Sequence, residues 1–421
     1  MQRRITQRRR TSPSPRHLSA GAGAKGHGGR LEDDMPRKKR PRVREEGPVC
    51  EYDGYEPSGS RSLDVARVET LDWHGFFTGY VRHRKPLHIL GHIQDNTWRV
   101  GELWDTAYLA RHAGDASVWV ECRSSDGRFG VGKYAGMRFR EFLRLLQEGD
   151  GLHYLSAQNV RHEDLFDSPL RELHRIRGDF PLRPALLSGL VPVQVNLWMG
   201  SSTSTTSGLH HDFHDNLYIM IKGMKRFLLY PPSRALQGIA THGSIRRVHR
   251  NGLINYYCQP VTHGDGSTLA ARADWVSQRK VLDAETLLEE LRVRGAPREE
   301  LDAAEDALED ALDQRLECEC RSDLGEETWR GNGGADDPPN FSSLCDEDQR
   351  DLEKECITVD VEAGQMLYLP CGWFHNVISF KEDAEFHMAM NYWFAPPDGQ
   401  TSDSPYVCEF WEDAWNAKAH C

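Results

Sequence analysis

The sequence predicts a mainly β fold with flanking helices: a double-sheet jelly roll interrupted by a long acidic helical insertion. From Val191 onward, apolar residues alternate with mostly polar ones in short runs. Two strand–turn–strand segments follow at residues 216–230 and 366–380, and a last strand occupies residues 386–394, just before a Pro-Pro pair. Many short strands separated by turns are typical of a jelly roll.

Both strand–turn–strand segments are interpreted as β-hairpins. The first joins residues 216–222 to residues 225–230 through a turn at Gly223. The second joins residues 366–369 to residues 373–380 through a Pro-Cys-Gly turn. Glycine and proline provide the backbone angles that tight turns need, so each pair is predicted to form one local antiparallel unit.

Helices are predicted ahead of the strand-rich part of the chain. Residues 101–112 and 137–147 suit amphipathic helices, and in the second the apolar side chains recur at i, i+3, i+4 and i+7 from Phe139. Residues 85–91 are interpreted as a strand that ends at a glycine.

The chain is predicted to have four parts. Residues 1–58 form a disordered basic tail, residues 59–400 form the folded domain, and residues 401–421 form a C-terminal extension. An insertion at residues 234–354 separates the two groups of strands. Its middle, residues 283–321, holds 14 acidic and 5 basic residues.

A helical apolar stripe runs through the acidic part of the insertion. Its members are Leu301, Ala304, Leu308, Ala311 and Leu312. The preferred interpretation is a helix with one packed face and one solvated acidic face, and a partner-binding element is the alternative.

Charge divides unevenly between the tail and the rest of the chain. Residues 1–47 carry 14 Lys and Arg against 5 Asp and Glu, a net charge of +9. Because the whole chain has a net charge of −12, the remaining residues have a net charge of −21. The basic cluster at residues 36–43 predicts nuclear import, with a cytoplasmic protein and a solvated charge run as alternatives. The acidic body argues against nucleic-acid binding by the folded part.

Other features of composition favour an intracellular protein. No run of eighteen apolar residues exists, so no membrane span is expected, and the N-terminus lacks an apolar signal core. Ten cysteines are scattered without a CxxC pair. Such usage suits reduced thiols in the cytosol or nucleus. The oligomeric state is not predicted.

Three residues form a candidate metal site. His210 and Asp212 are spaced H-x-D, which places both side chains on one side of an extended strand, and His375 follows on a later strand. Two imidazoles and one carboxylate are the facial ligand set of non-heme iron(II) oxygenases, which leaves other coordination positions open. His211 is expected to point away, and His214 to lie at the surface or beside a substrate.

A 2-oxo acid that chelates such a metal needs a cation for its far carboxylate. Lys225, just beyond the first predicted turn, is placed for that role, and Asn216 and Ser207 can add neutral donors. Strand alternation places Lys225 and Arg226 on opposite faces of the predicted strand. Arg226 or Lys222 is the alternative for the role of carboxylate-binding cation.

The last strand adds a candidate, Asn391. It shares a face with Ala389 and Trp393, whereas the opposite face is apolar throughout. Asn391 is therefore expected to point into a partly polar interior, and a structural asparagine is the alternative.

Three segments together resemble the Jumonji C (JmjC) domain family. They are residues 207–218 (SGLHHDFHDNLY), 222–227 (KGMKRF) and 364–375 (GQMLYLPCGWFH). Residues 76–87 are similar to the segment that opens the cupin-like domain in the small JmjC-only branch. The resemblance implies a double-stranded β-helix that uses iron(II), 2-oxoglutarate and oxygen.

Carried over by position, the resemblance implies metal ligands at His210, Asp212 and His375. It implies 2-oxoglutarate contacts at Lys225, with support from the residues Ser207, Asn216 and Asn391.

The resemblance also implies an activity, which we expect to be hydroxylation of a side chain in a protein. No reader module is visible in the sequence, and multidomain histone demethylases usually carry one. Lysine demethylation is the first alternative, and a non-enzymatic cupin-like binding protein is the second. A zinc hydrolase built on the same ligands is the third. A basic substrate, such as a histone or a ribosome-associated protein, would complement the acidic body.

Overall fold

The fold is described for most of the chain beyond the predicted basic tail. The computed structural model describes residues 47–59, 61–123, 133–156, 174–325, 338–381 and 384–419. The basic cluster at residues 36–43 lies outside the described residues.

Strands supply the framework of the described residues. They are β1 (Val49–Cys50), β2 (Asp64–Arg67), β3 (Leu87–Leu90), β4 (Ser117–Cys122), β5 (Lys133–Arg138), β6 (His153–Leu155), β7 (Pro192–Gly200), β8 (Thr205–Thr206), β9 (His210–His211), β10 (Asp215–Lys222), β11 (Met224–Tyr230), β12 (Ile245–Val248), β13 (Ile254–Tyr256), β14 (Ile357–Glu362), β15 (Gln365–Leu369), β16 (Phe374–Phe380) and β17 (His387–Phe394).

The α-helices of the described residues lie before, between and after the strands. They are α1 (Trp73–Phe76), α2 (Val100–Leu103), α3 (Thr106–Ala113), α4 (Phe139–Gln147), α5 (Leu269–Val293), α6 (Arg298–Gly325), α7 (Asp346–Leu352) and α8 (Phe410–Ala419). None of them has the length and apolar character needed to cross a membrane.

Two sheets form the centre of the fold. The larger has nine strands in the order β2–β3–β15–β10–β17–β7–β6–β4–β5. The smaller has the order β14–β11–β16–β8, and β9 also pairs with β16. A separate small sheet has the order β1–β12–β13. The mainly β cupin-like fold predicted from the sequence is confirmed.

The two predicted hairpins are wrong, although their strands and turns are present. Strand β10 pairs with β15 and β17, whereas β11 pairs with β14 and β16 in the other sheet. Strands β15 and β16 likewise belong to different sheets. The turns at Gly223 (φ 75°) and Gly372 (φ 73°) therefore carry the chain across from one sheet to the other. Apolar alternation and a turn residue look the same in both arrangements, because each strand has one face towards the shared interior.

Side chains from both sheets pack in that interior. Tyr218 and Met220 of β10 contact the same cluster as Phe227 and Leu229 of β11, and Trp373 completes it. A second core lies on the other face of the larger sheet. Helix α4 packs there through the four apolar positions predicted for it, which are Phe139, Phe142, Leu143 and Leu146.

The other predicted helix, residues 101–112, is divided into α2 and α3. Asp105 lies between them with an extended backbone, and its carboxylate accepts a hydrogen bond of 2.7 Å from the backbone N–H of Tyr108. An aspartate in this position is a strong helix N-cap, so it starts a new helix instead of continuing the old one.

The folded part begins earlier than the predicted boundary at residue 58. Strand β1 pairs in parallel with β12, and the ring of Tyr55 stacks on that of Trp373 with centroids 6.4 Å apart. Polar and glycine residues interrupt this segment, so its sequence shows no strand pattern. Its pairing partners in β12 lie about two hundred residues away.

The interval predicted as the insertion contains both strands and helices. Strands β12 and β13 occupy its first part, and α5 and α6 pack on each other around Leu288, Leu291 and Ala304. The predicted packed face of α6 is present, except that Leu312 is 43% exposed. The insertion is therefore not wholly helical.

Candidate metal and co-substrate site

The three predicted metal ligands lie together. Strands β9 and β16 pair so that His210 is directly opposite His375. Asp212 follows two residues after His210, and its carboxylate oxygens lie 4.0 Å from Nε2 of His210 and 3.8 Å from Nε2 of His375. One ligand atom from each residue lies within 4.8 Å of the other two. Strand pairing thus forms one cluster from residues that are far apart in sequence.

Backbone carbonyl groups orient both imidazoles. Nδ1 of His210 donates to the carbonyl of Gly208 at 2.9 Å, and Nδ1 of His375 donates to the carbonyl of Trp373 at 2.9 Å. A carbonyl oxygen can only accept, so each Nδ1 carries the proton and each Nε2 offers its lone pair to the cluster. Burial lowers the pKa of His210 to about 4, which keeps the ring neutral, as a metal ligand requires.

This donor set fits a divalent metal of the iron(II) type. Two imidazoles and one carboxylate line the same cavity, which has space for further ligands. The ring of Phe341 stacks on that of His210, with centroids 4.7 Å apart, and shields one face of the imidazole.

Lys225 lies deep in the same cavity. Its side chain is 2% exposed, and its ammonium group donates to Ser379 Oγ at 2.6 Å and to Tyr154 Oη at 3.2 Å. Burial lowers the pKa of Lys225 to about 7. Arg226 points the other way and pairs with Asp360, so alternation correctly predicted which of the two side chains faces the interior.

The three uncharged side chains that were predicted to contact 2-oxoglutarate differ in their placement. Asn216 and Ser207 line the cavity, and Ser207 Oγ accepts from the backbone N–H of Val377 at 3.0 Å. Asn391 does not line it; its amide donates to Asn216 Oδ1 at 3.0 Å, and it accepts from Trp198 Nε1 at 2.8 Å. Asn391 is thus placed to orient Asn216, and the ligand role of each residue stays a prediction.

The cavity has a volume of about 220 Å³ and extends from the three candidate metal ligands to Lys225. It is lined by Glu121, Tyr134, Tyr154, Ser156, Trp198, Thr205, Thr206, Ser207, His210, Asp212, Asn216, Tyr218, Lys225, Phe227, Asn340, Phe341, His375, Val377, Ser379 and Trp393.

Sequence reasoning missed several of these lining residues, among them Tyr154, Glu121 and Phe341. Tyr154 and Glu121 lie on the short strands β6 and β4, and Phe341 lies at the end of the predicted insertion. None of the three belongs to a local motif, so no signal in the sequence singled them out.

His211 lies as expected, whereas the expected position of His214, at the surface or beside a substrate, stays a prediction. His211 is buried and points away from the cluster, with Nε2 at 2.7 Å from the hydroxyl of Tyr256. His214 is half-buried, and its ring stacks on Trp393 with centroids 5.5 Å apart.

A buried ion pair has one member close in sequence to the candidate metal ligands. The guanidinium of Arg84 forms a bidentate salt bridge with the carboxylate of Asp215, which lies three residues after Asp212. Tyr368 Oη and the backbone N–H of Cys371 also donate to this carboxylate, at 2.6 and 3.0 Å. The pair therefore ties the start of β10 to the turn that leads to His375.

Removing one partner of this pair is expected to destabilise the protein strongly. Arg84→Met leaves the buried carboxylate of Asp215 without its cation, which typically costs about 3–5 kcal/mol in the free energy of unfolding. Urea denaturation of both proteins measures the difference. Arg144→Met removes an exposed i,i+4 pair with Glu148 and serves as the control, which should change little. Equal effects of the two changes would contradict the prediction.

The fold and the site together define a class: a cupin-like protein of the JmjC type. The Cupin-like domain family matches residues 73–237 and 338–400, more than half of the chain, and the protein belongs to this family. The unmatched interval between the two stretches contains α5 and α6. The resemblance found in the sequence is thereby confirmed.

Curated relatives support the same family. JmjC domain-containing protein 4 of Schizosaccharomyces pombe is 30% identical over 450 residues, which covers 88% of this chain and 92% of the relative. Lysine-specific demethylase JMJ32 of Arabidopsis thaliana is 27% identical, covering 76% of this chain and 78% of the relative. Bifunctional peptidase and (3S)-lysyl hydroxylase JMJD7 of Homo sapiens is 47% identical over 45 residues, 11% of this chain and 14% of the relative.

Membership in this family carries an expectation about cofactors. JmjC proteins are oxygenases that depend on iron(II) and 2-oxoglutarate, and the cluster of His210, Asp212 and His375 is consistent with that dependence.

Proposed function

We propose that this protein is an iron(II)- and 2-oxoglutarate-dependent dioxygenase that hydroxylates a side chain of a protein substrate. One observation carries the proposal: a single cavity is lined both by the His210, Asp212 and His375 group and by the buried Lys225. When bound, iron(II) and 2-oxoglutarate would supply the activation of oxygen. Lys225 would bind the far carboxylate of the co-substrate, and Asn216 and Ser207 would hydrogen-bond to it.

The overall reaction balances with one oxygen molecule for each turnover. One oxygen atom enters succinate as 2-oxoglutarate loses carbon dioxide, and the other becomes a hydroxyl group in place of hydrogen on the substrate carbon. On a carbon of the side chain itself, the product is a stable alcohol. On an N-methyl carbon, the product releases formaldehyde and leaves an amine, so the same site supports demethylation as the second candidate.

Lysine is the side chain we propose as the substrate residue. The names of two relatives, a lysine-specific demethylase and a (3S)-lysyl hydroxylase, share this residue while differing in reaction. The demethylase candidate is favoured by the longer match, because that relative covers 76% of the chain.

Product analysis tests the proposal and separates the two reactions. Proteins captured from cells by an Asp212→Ala variant are treated with the wild-type protein, iron(II), 2-oxoglutarate and oxygen. Succinate formation with a gain of one oxygen by the captured protein supports hydroxylation, whereas methyl loss with formaldehyde supports demethylation. Binding without succinate would favour a non-enzymatic cupin-like protein. Turnover without oxygen or 2-oxoglutarate would favour a zinc hydrolase.

Co-substrate affinity should depend on pH through Lys225. Its pKa of about 7 in the free site means that the amine loses its proton as pH rises above 7, while a bound carboxylate requires the ammonium form. The apparent Kd for 2-oxoglutarate should therefore rise with pH, approaching about tenfold per pH unit well above pH 7. Calorimetry under argon with manganese(II) measures this and should also detect proton uptake. A flat Kd between pH 7 and 9 would contradict the assignment.

We also propose a nuclear location and a basic protein partner. The first rests on the basic cluster at residues 36–43, and the second on the charge of −21 that remains outside residues 1–47. The distribution of a fluorescent fusion with the cluster changed to alanine tests the location, and a cytoplasmic distribution of the unchanged fusion would contradict it.

A further inference from the structure

A short segment near the end of the predicted insertion pairs with the strand that carries His210. Strand β9 is two residues long, and β16 pairs with it on one side. On its other side, residues 338–343, called here the covering segment, bring Phe341 directly opposite His210 in an antiparallel arrangement. The backbone N–H of Ser342 donates to the carbonyl of Leu209 at 2.8 Å. The covering segment therefore makes β9 an internal strand, with a neighbour on each side.

Backbone and side-chain hydrogen bonds hold the covering segment in place. The backbone N–H of His242 donates to the carbonyl of Phe341 at 3.0 Å. The side-chain amide of Asn340 donates to the carbonyl of His211 at 2.6 Å. Residues near both ends of the predicted insertion thus fix Phe341 beside β9. Neither bond uses the side chain of Phe341, so a substitution at this position removes the aromatic ring and keeps the bonds.

The ring of Phe341 packs flat on the imidazole of His210. The two planes are inclined by 11°, and the centroids are 4.7 Å apart. A hydrogen bond from Nδ1 to the carbonyl of Gly208 also holds the imidazole, but a single hydrogen bond leaves the ring free to tilt about that bond. Packing against a flat neighbour fixes the tilt, and with it the direction of the Nε2 lone pair.

The two candidate histidine ligands differ in the support that the sheets give them. His375 is 3% exposed, lies within the seven-residue strand β16, and is directly opposite Leu229 of β11 as well as His210 of β9. His210 lies in a two-residue strand, and 15% of its side chain is exposed. Of the two ligands, His210 therefore depends more on a contact from outside the sheets, and Phe341 provides that contact.

We infer that Phe341 is a positioning residue that holds the imidazole of His210 for metal binding. The inference rests on the proposed function, because it assumes that His210 is a metal ligand. A phenyl ring has no nitrogen, oxygen or sulfur atom to offer a metal, so Phe341 acts only through His210. Loss of a group that orients a metal ligand typically weakens metal affinity by about 10- to 100-fold, and a packing contact should act at the lower end of this range.

Metal titration of the full-length protein tests the inference without requiring turnover. Manganese(II) affinity, followed by electron paramagnetic resonance, should fall by about tenfold in Phe341→Ala. Phe341→Leu keeps apolar volume but loses the flat face, so its affinity should fall by at least about fivefold. Phe341→Tyr retains the ring and should stay within about twofold of the wild-type affinity. The visible absorption of bound cobalt(II), which reports ligand geometry, should change in Phe341→Ala and Phe341→Leu and not in Phe341→Tyr.

Two measurements separate this role from a role in folding alone. Phe380→Ala removes another half-buried phenylalanine, which ends β16 and does not line the cavity, and it should bind manganese(II) normally. With saturating manganese(II), the Kd for 2-oxoglutarate should change by less than about twofold in Phe341→Ala, because the hydrogen bonds of Lys225 go to Ser379 and Tyr154. Unchanged metal affinity in Phe341→Ala, or equal losses in Phe341→Leu and Phe341→Tyr, would overturn the inference. Metal binding that depends on Phe341 but yields no succinate in the oxidation assay would instead overturn the proposed function alone.

Discussion

Replacing Asp212 with alanine is expected to abolish 2-oxoglutarate turnover and to weaken metal binding by more than about a hundredfold. Loss of an outer partner of a metal ligand already costs about 10- to 100-fold in affinity, and Asp212 is predicted to be a direct ligand that also supplies the negative charge of the set. Its carboxylate oxygens lie 4.0 Å from Nε2 of His210 and 3.8 Å from Nε2 of His375, and an imidazole cannot supply the negative charge that alanine removes. Manganese(II) titration followed by electron paramagnetic resonance measures the affinity, and succinate formation measures turnover.

The structure also predicts that this change leaves the fold intact. Asp212 is half-buried, and its backbone carbonyl, which alanine retains, accepts the hydrogen bond from Gly372. The metal-free variant should therefore unfold at nearly the wild-type temperature. His112→Ala, which removes a histidine outside the cavity, is the matched control and should bind metal normally. Undiminished metal affinity in Asp212→Ala would refute the ligand assignment.

Replacing Lys225 with methionine is expected to have opposite effects on function and stability. The KM for 2-oxoglutarate should rise by at least about thirtyfold, because truncating one partner of a buried charge pair costs about 2–5 kcal/mol. The unliganded protein should instead become more stable, by about 0.5–2 kcal/mol, because a buried amine is replaced by an apolar side chain of similar length.

The stability effect has a definite dependence on pH. The pKa of Lys225 is about 7 in the folded protein, below its ordinary value of 10.5, so between these values the unfolded chain binds more protons. The cost of burying Lys225 is therefore complete below pH 7 and disappears as pH rises towards 10.5. Lys225→Met should stabilise most at pH 6 to 7, as measured by urea denaturation without metal.

Lys222 offers a matched control for this experiment. It lies at the end of β10, three residues before Lys225, with its ammonium 5.0 Å from the centroid of the Phe386 ring. Lys222→Met should leave the KM for 2-oxoglutarate unchanged. A rise in KM with this variant, and none with Lys225→Met, would exchange the roles of the two lysines.

Much of the candidate site was predictable, because its key residues follow local rules. The H-x-D spacing puts His210 and Asp212 on one side of a strand in any strand pairing. The same alternation turns Lys225 inwards and Arg226 outwards, as the structure has them. The helix over residues 139–147 was predicted for a similar reason, since a repeat of 3.6 residues is visible within nine positions.

The sequence by itself predicted the candidate ligands His210, Asp212 and His375 and the lysine that faces the interior, because spacing and alternation depend only on neighbouring residues. The tertiary structure decided which strands pair, and so it alone converted two expected hairpins into crossings between sheets. It also brought Glu121, Tyr154 and Phe341 to the cavity, and Arg84 to Asp215 across 131 positions of sequence. Contacts of this range depend on how all the strands pack around one core, which no local pattern specifies.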